Sequence, residues 1–266
     1  SQEKMYRNET GSHFFRKKSM DKVREELVHY RDKWNGEYIF FWADTFLAMS
    51  SDELDEFCEM YSDIRIPFFV QTRPETIREK TFLKLQNIGL HRVAMGVEHG
   101  NEGFRRRLLS RSSTNQQMIE AAKIFRKLDV SFSTFNMIGI PDETPDLTMD
   151  TVELNRLIKP DDSGISMFSP FYGTPLRNVA IKKGYMASDT ICPGTFEESV
   201  LDMPAYPREK LNGLFRTFSM YVKLPKSRWK MIKQAEEFSP EGDLKWRELK
   251  QEVEETYPTN LVSSVH

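Results

Sequence analysis

Apolar and polar positions along the chain alternate between two periods. Val23, Leu27 and Tyr30 share one face of a helix that Ser19 can cap and Asn35-Gly36 can end. Tyr38-Ile39-Phe40-Phe41-Trp42 is a continuous apolar run, as expected of a strand covered on both faces. Leu54, Phe57, Cys58 and Tyr61 then line a helix capped at Ser50 or Ser51, and Pro67 to Thr72 reads as the next strand. Thr76 to Asn87 reads as a helix with Ile77, Phe82 and Leu85 inward. Leu90 to Val97 is a strand, followed by a helix-like stretch from Glu102 to Leu109. Thr114 caps a helix carrying Met118, Ala121, Ala122 and Phe125, and Val130 to Ile138 is the fourth strand. The turn Gly139 to Thr144 enters a helix lined by Leu147, Val152, Leu154 and Leu157. Ile165 to Phe168 is the last clear strand, and Gly173-Thr174-Pro175-Leu176 opens a further helix.

Helix and strand therefore alternate, which predicts βα units of a parallel sheet. Right-handed connections put the C-terminal strand ends on one rim. Asp44, Gln71, Arg73, Glu98 and the Gly139 turn fall at those ends and should converge on one ligand site. Glu98 stands out, because it closes an apolar run and has Gly96 and Gly100 on either side. Taken alone, a carboxylate between glycines reads as a turn more often than as a site. From about residue 188 turns dominate, and helical segments follow near 207–224, 226–237 and 241–256. The expected organisation is a domain over 1–187 and a helical appendage over 188–266. Residues 1–18 read as an irregular basic segment and the tail after Pro258 as frayed.

Charge adds little to this picture. Thirty-eight basic residues oppose 40 acidic ones, for a net charge of −2, so nothing global points to nucleic acid or to an anionic membrane. No apolar run approaches the length of a membrane span, and the charged opening Ser1-Gln2-Glu3-Lys4 does not read as a signal peptide. Cys58 and Cys192 lie far apart with no ligand spacing, which argues against a disulfide or a zinc site and for a reducing, cytoplasmic setting.

Five motifs occur in order: Phe41-Trp42-Ala43-Asp44-Thr45-Phe46; Gly96-Val97-Glu98-His99-Gly100; Arg111; Met137 through Thr144; and Pro170 through Leu176. This series resembles the radical S-adenosylmethionine (SAM) superfamily, in particular its branch with a cobalamin-binding domain upstream. The resemblance implies an α/β fold, a partial (β/α)6 TIM-like barrel. It implies a [4Fe–4S] cluster in a CxxxCxxC loop after the first strand, reductive cleavage of SAM, and hydrogen abstraction from a small-molecule substrate. A reductant such as flavodoxin or ferredoxin would be the protein partner, and cobalamin would come through the upstream domain. In this resemblance Asp44 contacts the methionine amino group and Glu98 offers a polar side chain to SAM. Arg111 pairs with the methionine carboxylate, Ile138, Gly139 and Ile140 lie against adenine, and Phe168 opens the last strand's contacts nearby. Gln71 joins this SAM-binding set from the end of the second predicted strand.

The chain departs from the family in one respect: it contains no CxxxCxxC. Two cysteines cannot supply the three thiolates a cluster needs. The first strand and the cluster loop are therefore expected to be missing from this chain by truncation, leaving a fragment that holds strands two to six and a C-terminal helical extension. One alternative is a cluster-less barrel serving as a SAM-binding or protein-interaction module. Another is an ordinary barrel using Asp44 and Glu98 as an acid/base pair.

Overall fold

The computed structural model describes residues 17–43 and 45–257. The stretch before residue 17, Asp44 and the tail from Pro258 lie outside the described residues, together with what was expected of them. In chain order the elements are α1 (Met20–Trp34), β1 (Ile39–Phe41), α2 (Ser51–Tyr61), β2 (Phe68–Thr72), α3 (Glu79–Asn87), β3 (Leu90–Glu98), α4 (Glu102–Leu109), α5 (Asn115–Lys127), β4 (Ser131–Ile138), α6 (Pro145–Ile158), β5 (Asp162–Met167), α7 (Pro175–Lys182), α8 (Arg208–Lys223), α9 (Trp229–Ala235) and α10 (Pro240–Thr256). The strands form one sheet in the order β1-β2-β3-β4-β5. β1–β2, β2–β3 and β4–β5 pair in parallel, so the α/β class expected from the alternation is the class observed.

The chain divides into two compact units. The first gathers the described residues up to Gly96 with Glu120–Phe132 and Tyr172–Thr174. Its helices start where local chemistry dictates. Ser19 Oγ accepts the Lys22 N–H, and Ser50 and Glu53 exchange hydrogen bonds in a capping box at α2. The core between α2 and the strands is aromatic, with Phe41, Phe57, Tyr61 and Phe68 in contact and the Tyr61–Phe68 ring centroids 4.8 Å apart. The buried Tyr61 hydroxyl donates to the Ile66 carbonyl at 2.7 Å, so the ring is buried without an orphaned polar atom.

β1 corrects one expectation. Its apolar run predicted cover on both faces, yet Trp42 is 77% exposed and Phe40 39%. The reason is topological: β1 ends the sheet order, so the described residues pair it on one side only. Phe40 stacks on Phe69 at 4.1 Å and on Trp42 at 5.5 Å, which shelters the rings from one another rather than under a neighbour. Helix α1 behaves alike, with Leu27 buried but Tyr30 half exposed.

The second unit holds Val97–Ile119, Ser133–Phe171 and the chain from Pro175. β4 and β5 pair from Ser133↔Asp162 to Ile138↔Met167. β5 thus begins three residues before Ile165, because Asp162-Ser163-Gly164 carry no apolar signal and are strand only through that pairing. A buried polar triangle, Thr134, Asn136 and Asn155, ties β4 to α6. Leu157, expected inward on α6, is 61% exposed. The expected helix over 226–237 is a short 3₁₀ turn, Lys226–Arg228, followed by α9. The segment after residue 188 is packed into this unit's core through Leu201, Tyr206, Leu211, Leu214 and Phe218, all buried.

Candidate functional site

The second unit brings six of the eight expected site residues into one connected set: Glu98, Arg111, Ile138, Gly139, Ile140 and Phe168. Gln71 lies in the other unit, at the end of β2, where its carbonyl accepts the Phe46 N–H at 2.9 Å. Asp44 is outside the described residues.

Glu98 is the last residue of β3 and has φ +64°, a left-handed conformation unusual for a residue with a Cβ. That turn carries the chain out of the strand and sets the partly buried carboxylate facing Arg111, whose Nη2 donates to Glu98 Oε1 at 3.0 Å. Arg111 is held ready by Arg105, a fully buried guanidinium on α4. Arg105 Nη1 donates to the His99 carbonyl, and Nη2 donates to the Ser113 carbonyl at 2.5 Å and to Asn115 Oδ1 at 3.0 Å. One buried side chain thereby fastens the residue after Glu98 to the loop that carries Arg111. Asn101 Oδ1 caps α4 by accepting the Phe104 N–H.

Glycine at position 100 is a steric requirement. A Cβ there would overlap the Asp150 carbonyl and the Thr151 backbone of α6. The Gly100 N–H donates instead to Thr151 Oγ1 at 2.8 Å.

The turn after β4 is the second half of the site. Gly139 has φ +85°, and a Cβ on it would sit 3.0 Å from Met167 Sδ and from Leu211 Cδ2. The positive φ favours glycine, and a Cβ would also have to push both side-chain tips aside. Glu143, fully buried, accepts the Gly139 N–H at 2.6 Å and the Ile140 N–H at 3.0 Å on one oxygen. Its other oxygen accepts the Thr148 hydroxyl at 2.6 Å. The Ile138 carbonyl accepts the Phe168 N–H at 2.7 Å, which joins the start of the chain after β5 to the same turn.

His99 links the two halves. Its Nδ1 accepts the Asn101 N–H at 3.0 Å, which leaves the ring proton on Nε2. Nε2 lies 3.3 Å from Glu143 Oε1, within ion-pair reach but too poorly aligned for a hydrogen bond. The physical content of the contact is the close approach of a buried ring to a buried carboxylate. Sequence reading missed Glu143, His99 and Arg105 as parts of the site. For Glu143 a signal existed: a carboxylate four residues past a glycine, in reach of that glycine's own amide.

The Glu98–Arg111 pair can receive a zwitterion. A carboxylate and a guanidinium side by side match an α-amino acid's ammonium and carboxylate, the latter in the planar fork that arginine provides. The turn after β4 is packed inward, with Ile138, Gly139 and Ile140 all buried. A [4Fe–4S] cluster does not fit this chain. Its only two cysteines are Cys58 on α2 and Cys192, and among the described residues no group of three His, Cys, Asp or Glu could hold a metal. No described helix is long and apolar enough to cross a membrane.

A parallel α/β sheet with such a rim defines the class of protein, and comparison with known families defines it further. The family model of the radical SAM superfamily matches residues 6–154, more than half of the chain, which therefore belongs to that superfamily. The chain is 24% identical over 199 residues to an uncharacterised methyltransferase of Pyrococcus horikoshii, covering 74% of this chain and 43% of that protein. It is 36% identical over 85 residues to the tRNA-2-methylthio-N(6)-dimethylallyladenosine synthase of Halalkalibacterium halodurans, covering 31% of this chain and 16% of that protein. Among solved structures, the cobalamin-dependent SAM radical enzyme OxsB with aqua-cobalamin and SAM bound superposes with a TM-score of 0.58 at 12% identity, over 90% of this chain and 42% of its own. The radical SAM methyltransferase TsrM from Kitasatospora setae, with tryptophan and a SAM analogue, gives 0.51 at 16%, over 79% and 41%. At these identities the structural likeness is one of fold. The chain spans less than half the length of each of these relatives.

Proposed function

We propose that this chain is the SAM-cradling part of a radical SAM enzyme whose cluster thiolates and first strand come from polypeptide outside these 266 residues. The observation that carries the reading is the Glu98–Arg111 pair, joined through His99 and Glu143 to the Gly139–Ile140 turn. Glu98 takes the ammonium of the methionine half, Arg111 its carboxylate, and Ile138 to Ile140 with Phe168 the adenine. Asp44 and Gln71 stay in the proposed SAM-binding set on the resemblance alone.

A groove of about 800 Å³ beside β1 supports the missing strand. Val23, Tyr30 and Trp34 of α1, Phe40 of β1 and Trp42 just after it line it, an apolar channel along the end strand of the sheet. Parallel strands are normally buried on both faces, so this edge suits a further strand. Bound there, that strand would be followed by the loop that holds the cluster. The chain's own residues bind and orient SAM; a cluster held by upstream thiolates would supply the electron that cleaves it. Residues 188–266 act with the site rather than apart from it, and substrate choice rests with them and with upstream sequence. Methyl transfer through an upstream cobalamin domain is the finer reading, supported by the likeness to a methyltransferase and to the OxsB and TsrM structures. A small-molecule substrate and a flavodoxin- or ferredoxin-type reductant belong to the same proposal, as does a cytoplasmic location.

The test joins this chain to the coding sequence upstream of Ser1, reconstitutes iron and sulfide anaerobically, and measures 5′-deoxyadenosine in the presence of SAM and reductant. Product from the joined protein and none from the 266 residues is the expected result. A cluster-loaded joined protein that forms none would overturn the reading in favour of a SAM-binding or interaction module.

A further inference from the structure

The segment after residue 188 touches the Gly139 turn in two independent ways. Leu211 of α8 lies directly beneath Gly139, so close that a Cβ would meet it at 3.0 Å. Tyr206, buried to the last atom, reaches the turn through hydrogen bonds. Its hydroxyl sits 3.3 Å from Thr148 Oγ1. Thr148 Oγ1 is the donor in both contacts: its one proton goes chiefly to Glu143 Oε1 at 2.6 Å, with the Tyr206 oxygen as a second, longer acceptor. Glu143 in turn accepts both turn amides. Burial pushes the Tyr206 phenol well above its ordinary range, which keeps it neutral throughout the physiological range.

We propose that Tyr206, Thr148 and Glu143 form a positioning relay through which the C-terminal segment sets the Gly139–Ile140 turn, and with it the adenine half of the SAM site. None of the three touches the ligand. They form one chain of contacts: the phenol oxygen and the Glu143 carboxylate share the Thr148 hydroxyl, and the carboxylate holds two backbone amides. A carboxylate free to turn would release one amide or the other; Thr148 removes that freedom, and Tyr206 removes Thr148's. The turn's part in binding adenine rests on the function proposed above. The relay itself does not.

The test uses the full 266-residue chain with three near-isosteric variants, Glu143→Gln, Thr148→Val and Tyr206→Phe, and two readouts. The first is hydrogen exchange at the Gly139 and Ile140 amides. The second is binding of S-adenosylhomocysteine by calorimetry. Exchange at the two amides should quicken about tenfold in Glu143→Gln and about fivefold in Thr148→Val, roughly the loss of one buried hydrogen bond. Tyr206→Phe should quicken them less, and its effect should vanish in the Glu143→Gln background, because the relay is then already broken. Affinity for S-adenosylhomocysteine should fall in the same order.

Equal slowing or quickening at every amide, tracking only a lower melting temperature, would reduce the three residues to general stability and overturn the relay. So would additive effects of Tyr206→Phe and Glu143→Gln. If wild type binds no S-adenosylhomocysteine while exchange follows the stated order, the relay stands and the SAM reading fails. If wild type binds and the variants bind as tightly, the turn is not set through these residues and the inference fails alone.

Discussion

Arg111 Nη2 lies 3.0 Å from Glu98 Oε1 across thirteen residues of sequence. Glu98 makes this contact from a left-handed backbone. The two groups satisfy each other in the absence of ligand, and each keeps some exposure, 21% for Glu98 and 33% for Arg111. Under the proposed function, exchange for a zwitterion is a substitution of partners rather than the desolvation of bare charges.

Arg111→Ala should weaken S-adenosylhomocysteine binding about ten- to a hundredfold, the value of a charge-assisted hydrogen bond to the carboxylate. Stability should change by no more than about 1 kcal/mol, since the pair is part exposed. Arg111→Lys should fall between, because a lysine keeps the charge and loses the fork. Calorimetry and urea denaturation read the two effects separately, and affinity within twofold of wild type in the alanine variant would remove Arg111 from the site.

Glu98→Gly separates binding from folding in the opposite sense. The φ of +64° costs a residue with a Cβ roughly 1 kcal/mol or more, and glycine adopts it freely. The melting temperature should hold or rise while ligand affinity drops at least about tenfold. A clear fall in melting temperature would mean that the carboxylate serves the fold first.

Gly100→Ala is expected to destabilise by about 2–3 kcal/mol in urea unfolding, because its methyl would overlap the Asp150 carbonyl. Backbone is the obstacle, so no side chain can move aside. Gly184→Ala makes the comparison: nothing lies within 4 Å of a Cβ there, and its φ of +72° alone should cost about 1 kcal/mol.

Alkali should unfold the protein through its buried phenols. Burial, as the largest cause, holds Tyr61, Tyr206 and Tyr221 protonated well past the ordinary tyrosine range, and a hydrogen bond to Glu236 adds to the effect at Tyr221. The unfolded chain releases these protons from about pH 10. Stability from the three groups is therefore complete below about pH 10 and is lost as pH rises through their raised values. Absorbance at 295 nm should show a late phenolate fraction appearing together with loss of helix by circular dichroism. Its appearance before unfolding would contradict the burial.

Much of the fold was legible in the chain's periodicity. β2, β3 and β4 fall where runs of apolar residues end in polar or glycine-rich turns, and α5 buries Met118, Ala121, Ala122 and Phe125 as their spacing requires. Thr114 and Gln117 cap that helix reciprocally, a pattern readable from two residue types three apart. Periodicity failed where burial comes from neighbours. Tyr30, Trp42 and Leu157 have inward-looking patterns yet stand exposed, because cover depends on what lies across from them. Asp162-Ser163-Gly164 is strand only through its pairing with β4.

The sequence by itself determined the alternation of helices and strands, the glycines and carboxylate at the end of β3, the turn after β4, and the shortage of cysteine. Each is a local property of residue type and spacing. Tertiary structure alone decided that Arg111 meets Glu98, that Arg105 is buried to hold them, and that Glu143 anchors two amides while Tyr206 reaches it from 58 residues beyond Thr148. Those relations join positions far apart in the chain, and hydrogen bonds of this kind depend on distance and direction in space, which no periodic pattern encodes.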